Sequence, residues 1–416
     1  MALAVIGARL DGDPVGLRAV DGTIEELGPD VVAADGDEVI DASELALVPG
    51  LVNAHTHAAM TLFRGYADDL PLMEWLERHI WPAERKLEID DVYWGTRLAC
   101  LEMARAGTVR FWDMYWKQAT TARAVKDAGM RAVIGAPLID DNDPANSPEL
   151  LAKARRTIDE ILEAGEGAVE AALAPHAIYT VSEPSLRGIA EIAEERDVAV
   201  EIHLSETEQE VVDCVRETGL RPAHYLDRCG LLGPRTLLAH CVWLDRDEID
   251  LIAERGATMV TNPVANLKLA VGGVFPYLEA RDAGAEVGLG TDGAGSNNSL
   301  DMLDDVKAFA LLQKHVAADP AAVTAGEAWE IATGQRSRLI GGAPPAVGRP
   351  ADFALVRLDS PGLALGELDA GLVYAADASA VKLTVIGGRV VYRQGDRSEA
   401  EEVVPRAREQ AARLFG

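Results

Sequence analysis

Six polar residues are spaced so that a fold can gather them. They are His55 and His57 in Asn53-Ala54-His55-Thr56-His57, His203 with Glu206 three residues on, a lone His240 after Thr236-Leu237-Leu238-Ala239, and Asp292 in Gly290-Thr291-Asp292-Gly293. Residues i and i+2 of an extended strand point to one side, so His55 and His57 can face a single ion. A nitrogen from His203 and an oxygen from Asp292 complete a borderline-hard ligand set suited to one zinc or ferrous ion per chain. A water completing the shell makes such a site catalytic in form, and the metal would lower that water's pKa toward ~7. Asp292 can then take the water proton, and Glu206 can carry a proton to the departing atom. His240 would hold the attacking oxygen and stabilise charge.

One buried histidine after an apolar run is more often a hydrogen-bonded core residue than a ligand. Here every member of the set ends such a run, and that shared position needs a common cause. Short β-branched runs alternate with helical periodicity between about residues 50 and 340. Eight strands are expected at 51–57, 108–114, 131–138, 169–176, 199–204, 236–242, 258–264 and 286–292. Helices are expected at 92–106, at 182–196 with Ser182 as N-cap, and at 300–314. Eight such repeats predict an α/β fold, a (β/α)8 TIM barrel over residues 50–345 whose strand C-termini form the active face. A doubly wound sheet is the second choice. Residues 1–49 and 346–416 carry short alternating runs broken by Gly and Asp. Neither end can bury a sheet face alone, so the two are expected to build one small β-sandwich together, with a last helix at about 405–414.

The 416 residues include 68 acidic and 39 basic side chains, a formal charge of −29. A polyanion repels phosphate backbones and anionic lipid surfaces, which argues against nucleic-acid and membrane partners. Lysine is scarce: only Lys86, Lys117, Lys126, Lys153, Lys268, Lys307, Lys314 and Lys382 occur. That scarcity fits a surface adapted to high salt, where screening relieves self-repulsion; the alternative is an acidic enzyme of an arginine-rich proteome. The N-terminal residues read as a strand rather than a signal peptide. Cys100, Cys214, Cys229 and Cys241 have no CxxC spacing, which fits reduced thiols in a cytoplasm. Homo-oligomerisation is left open. His79, His224 and His315 have no ligand-like neighbour and read as surface or packing residues.

Val48-Pro49-Gly50-Leu51-Val52-Asn53-Ala54-His55-Thr56-His57, His203-Leu204-Ser205-Glu206, His240, Gly290-Thr291-Asp292-Gly293 and Gly348-Arg349-Pro350-Ala351-Asp352 resemble the amidohydrolase superfamily, in its order and over nearly the whole chain. Pro175-His176 stands where binuclear members carry a lysine, so the resemblance points to a mononuclear, deaminase-type branch. Met60-Thr61-Leu62-Phe63-Arg64-Gly65, Trp81-Pro82-Ala83-Glu84, Asn266-Leu267-Lys268 and Ser296-Asn297-Asn298-Ser299 are similar to the group that deaminates 5'-methylthioadenosine and S-adenosylhomocysteine. The resemblance implies that Glu84 accepts hydrogen bonds from ribose hydroxyls and that His176 contacts the substrate. It further implies that Glu206 protonates the ring of a nucleoside substrate. Ala136 and Pro148 replace arginines that receive the amino-acid carboxylate of the larger substrate, and Asp140, Asp141 and Asp143 lie near, so a neutral 5' group is expected. The alternatives are a guanine, pterin or triazine hydrolase of the same branch, and a metal-free barrel acting as a binding module.

Overall fold

The computed structural model describes residues 2–416. Eight strands form the barrel: β1 (Leu51–Thr56), β2 (Thr108–Met114), β3 (Arg131–Leu138), β4 (Val169–Pro175), β5 (Ala199–Leu204), β6 (Thr236–His240), β7 (Thr258–Thr261) and β8 (Glu286–Leu289). Each pairs in parallel with its neighbours in sequence order. Strands buried on both faces need near-continuous apolar runs, and these runs supply them. Val52, Ala54, Trp112, Val133, Ala172, Leu237 and Val260 fill the barrel interior as one cluster.

The seam between β8 and β1 is closed by side chains. Asn53 Nδ2 donates to Thr291 Oγ1 (2.7 Å), and Thr291 N donates back to Asn53 Oδ1 (3.0 Å). Asp292 N donates to the His55 carbonyl (3.0 Å), and Thr56 Oγ1 to the Asp292 carbonyl (2.8 Å). The approach is so close that a Cβ on Gly290 would sit 2.5 Å from Asn262 Oδ1 and 2.7 Å from the His55 carbonyl. Glycine is required there.

The strands from the two ends of the chain join one mixed sheet. Its order is Arg389–Arg393, Val381–Ile386, Phe353–Arg357, Leu45–Pro49, Ala2–Leu10, Asp13–Val20 and Thr23–Gly28, with Glu38–Asp41 also pairing Ala2–Leu10. Leu3, Val5, Leu17, Leu47, Phe353, Leu355 and Val385 give this sheet its own core.

Several boundaries differ from expectation. β6, β7 and β8 are shorter than expected. His240, Cys241 and Asp292 take positive φ (74°, 52° and 60°), so the chain leaves the strand geometry at or before them. Ser182 does precede helix Glu183–Arg196, but its hydroxyl donates to Asp140 instead of capping. The helix expected at 300–314 runs from Met302 to Ala317, with Asp301 accepting from Leu303 N. The last helix begins at Ser398 and not near Pro405. Pro405 and Glu401, whose carbonyl the ring deprives of a partner, both lie on the solvent face, where water serves instead. No helix among the described residues is long and apolar enough to cross a membrane.

Candidate active site

Four imidazoles converge at the C-terminal end of the barrel. His55 and His57 have ring centroids 5.0 Å apart, His55 and His203 5.0 Å, and His203 and His240 5.4 Å. The His55–His57 pair does not arise from plain strand alternation. The register of β1 against β2 shifts between Asn53 and Thr56, and His57 is the first residue of the turn beyond the strand.

Each ring is held from behind through Nδ1. His55 Nδ1 meets Glu201 Oε1 at 2.7 Å, His57 Nδ1 the Met114 carbonyl at 2.5 Å, His203 Nδ1 the His176 carbonyl at 2.7 Å, and His240 Nδ1 Asn266 Oδ1 at 2.9 Å. Carbonyl, amide and carboxylate oxygens only accept, so every Nδ1 carries the proton and every Nε2 is left with its lone pair. His57 Nε2 lies 3.2 Å and His55 Nε2 3.5 Å from Asp292 Oδ1. Asp292 Oδ2 accepts from Ser296 Oγ at 2.6 Å. His55, His57 and Asp292, and likewise His55, His203 and His240, bring ligand atoms within 4.8 Å of one another.

The electrostatics fit a cation. Burial alone would depress His55, but the facing Asp292 and Glu201 carboxylates overrule it and lift the ring to about 10. Burial and the surrounding imidazoles hold His203 well below its ordinary value. One ring thus demands positive charge while its neighbour refuses a proton, and His55 Nε2 is a buried nitrogen with no hydrogen-bond partner. A metal ion accepting both lone pairs satisfies the pair together.

Glu206 follows Ser205, which takes φ 51° to turn the chain inward. Glu210 fixes that turn, accepting from Ser205 N (2.8 Å) and Glu206 N (2.9 Å). Burial raises the Glu206 carboxyl above the usual range, and its Oε1 lies 3.9 Å from His240 Nδ1. Strain at three non-glycine strand ends, Ser205, His240 and Asp292, is therefore concentrated where the polar atoms meet.

The imidazoles open into a cavity that is partly open to solvent. His57, His203, Glu206, His240 and Asp292 line its floor, and Glu84 and His176 its walls. Glu84 accepts from Trp116 Nε1 (3.0 Å) and is raised by burial. His176 Nδ1 donates to Thr180 Oγ1 (3.1 Å), and burial pushes the ring down to about 3, so it is neutral with Nε2 free to accept. Leu72, Leu76, Ile80, Pro137 and Ile139 make the remaining wall apolar.

The expected repulsion from loop aspartates does not arise. Asp140 is buried and accepts from Ser182 N, Ser182 Oγ and Ser185 Oγ, while Asp141 and Asp143 are exposed. Arg131 is paired with Asp352 and Arg155 with Glu195, so neither turns inward. Lys153 donates to the carbonyl of the lining residue Pro137 (3.2 Å) beside the Trp116 ring.

Sequence reasoning missed Glu201, Asp113 and the role of Asn266. Glu201 and Asp113 do carry a signal, since each is the lone acid of a largely buried barrel strand. Asp113 accepts from Ala58 N (2.6 Å), which fixes the turn after His57, and burial pushes it up to about 7. The Met114 and His176 carbonyls have no side-chain signature at all.

A family model described as "Amidohydrolase family" matches residues 46–391. The chain is similar to a 5'-deoxyadenosine deaminase of Methanoregula boonei, 43% identical over 398 residues covering 94% of this chain and 90% of that protein. It is also similar to a 5-methylthioadenosine/S-adenosylhomocysteine deaminase of Archaeoglobus fulgidus, 43% identical over 94% of this chain and 93% of the relative. A zinc-bound adenosine deaminase from Xanthomonas campestris superposes with a TM-score of 0.90 at 34% identity, covering 99% of this chain and 98% of that one.

Proposed function

We propose, for a chain that belongs to the amidohydrolase family, hydrolytic deamination of the adenine ring of a 5'-modified adenosine to the hypoxanthine nucleoside with release of ammonia. One observation carries the reading. Four imidazoles held through Nδ1 form, with Asp292, two overlapping groups that share His55 and bring ligand atoms within 4.8 Å, at a cavity that also holds Glu206 and Glu84.

His55, His57, His203 and Asp292 would hold a single divalent ion, zinc rather than iron in our reading, which when bound supplies Lewis acidity and lowers the pKa of water. Asp292, oriented by Ser296, is the base that takes a proton from the attacking water and passes it to the leaving amino group. His240 presents Nε2 as an acceptor, because Asn266 occupies its Nδ1, and so orients that water and takes up charge during attack. Burial raises the Glu206 carboxyl and so favours its protonated form. Glu206 delivers its proton to ring N1 as oxygen bonds to C6; the C6–amine bond then breaks to release ammonia, and the proton left on the C6 oxygen returns to Glu206. Glu84 accepts from the ribose hydroxyls, and His176 Nε2 accepts from the substrate.

A neutral 5' group is favoured. Among the described residues no lysine or arginine lines the cavity, and a buried carboxylate without a cation costs kilocalories. 5'-Deoxyadenosine and 5'-methylthioadenosine therefore stand ahead of S-adenosylhomocysteine. A guanine, pterin or triazine would leave Glu84 without a diol to bind. The four free, buried cysteines support a reducing compartment such as the cytoplasm. Steady-state kinetics on metal-loaded protein over these nucleosides, guanine and a triazine test the reading. We expect turnover of the adenine nucleosides alone; turnover of guanine or the triazine in their place would overturn it.

A further inference from the structure

The segment between β1 and helix Ile89–Arg105 covers the cavity. Met60, Leu72, Trp75, Leu76, Ile80, Trp81 and Glu84 all come from it. Its own hydrophobic cluster is not completed from the barrel alone. Phe63, Trp75, Ile80, Ala83 and Leu87 pack with Ala407 and Leu414 of the last helix, Ser398–Phe415.

That helix grips both roots of the segment with neighbouring residues. At the entry, Phe415 stacks on Tyr66 (centroids 4.2 Å apart, planes at 28°) and meets Phe63 edge-on at 5.2 Å. Trp75 Nε1 in turn donates to the Tyr66 carbonyl (3.4 Å), and the Trp75 ring lines the cavity. At the exit, Arg413 forms an ion pair with the fully buried Asp91, lies 3.4 Å from Glu88, and donates to the Lys86 carbonyl (3.3 Å). Glu88 and Asp91 are the two sides of the capping box that starts helix Ile89–Arg105, so the exit of the covering segment is fixed at that cap. The middle, residues 72–84, is four-residue helical pieces around a π-turn at Leu76–Ile80. Pieces that short do not hold themselves, and an irregular turn of this kind is common at functional sites.

We propose that Arg413 and Phe415 are positioning residues for substrate binding: by clamping both roots of residues 64–88 they set where Glu84 and the apolar wall stand over the cavity. They touch neither the imidazole cluster nor the cavity. Their effect is on the covered geometry alone, and only the kinetic arm of the test rests on the deaminase reading.

The test compares the full-length, metal-loaded protein with Phe415→Ala, Arg413→Ala, the double variant and the conservative Phe415→Tyr. Hydrogen exchange read by mass spectrometry should accelerate in peptides from residues 64–88 while β1–β8 keep their protection and metal content is unchanged. With 5'-deoxyadenosine, KM should rise about tenfold and kcat change less than about threefold. Phe415→Tyr keeps the stack and should behave as the parent. Unchanged exchange in 64–88 of the double variant, or acceleration spread evenly over the barrel, overturns the proposal. The exchange result decides it even if the parent protein turns over no nucleoside.

Discussion

Glu201 Oε1 lies 2.7 Å from His55 Nδ1, and neither side chain is reached by solvent. The carboxylate fixes the tautomer and raises the basicity of the ring that faces Asp292. Glu201→Gln preserves shape and removes charge. Metal affinity should fall about 10–100-fold, the usual effect of losing such a supporting group. Competition with a chromophoric chelator measures it, and an unchanged affinity would mean that His55 does not bind through Nε2.

Glu206→Gln should keep the metal and lose roughly 10²-fold or more in kcat. Burial raises the Glu206 carboxyl, so its proton is retained as pH climbs past the ordinary carboxylate range and is lost only above it. The limb of the kcat profile that reports this loss should therefore lie above ~4.3, with activity declining as pH rises through it. In Glu206→Gln that limb should vanish. Loss of metal in the variant would show Glu206 to be a ligand.

Asn53→Leu tests the β8–β1 seam. The substitution orphans the buried amide of Thr291, worth about 1–3 kcal/mol, while the Thr291 hydroxyl still donates to the Asp292 carbonyl (3.0 Å). A fall in stability of about 1–3 kcal/mol is expected, together with reduced turnover, because Asp292 is the next residue. Denaturant titration alongside kcat gives both, and a variant as stable as the parent would show the seam to be held by backbone alone.

Much of this arrangement is legible in the chain itself, and the exceptions have physical causes. β2, β3 and β5 can be bounded from sequence because a strand buried on both faces needs a mainly apolar run, and each has one between clear helical stretches. The ends of β6 and β8 cannot: β6 stops at His240, which takes positive φ, and β8 stops at Leu289, three residues short of Asp292, although the apolar run continues past both. The ligands read out because each polar residue interrupts an apolar run. Their supports mostly do not: His57 and His203 rest on backbone carbonyls that any residue would supply. Glu201 could have been found by the same logic as His203, two positions later on one strand. The start of the last helix was hidden by Pro405, which breaks buried helices and is tolerated on an exposed face.

The charge excess of 68 acidic over 39 basic side chains predicts a response to salt. Screening weakens repulsion among the surplus carboxylates, so the Tm should rise from low to molar potassium chloride. A Tm that is flat or falls with salt would remove the high-salt reading.

Hydrolysis at C6 is the centre of the account, and isotope labelling tests it most directly. Metal-loaded protein is given 5'-deoxyadenosine in heavy-oxygen water, and nucleoside and ammonia are followed together. The account predicts one ammonia released per nucleoside consumed and one heavy oxygen at C6 of a hypoxanthine product with its ribose still attached. Free adenine, an unlabelled product, or untouched substrate in the presence of a full complement of metal would contradict it.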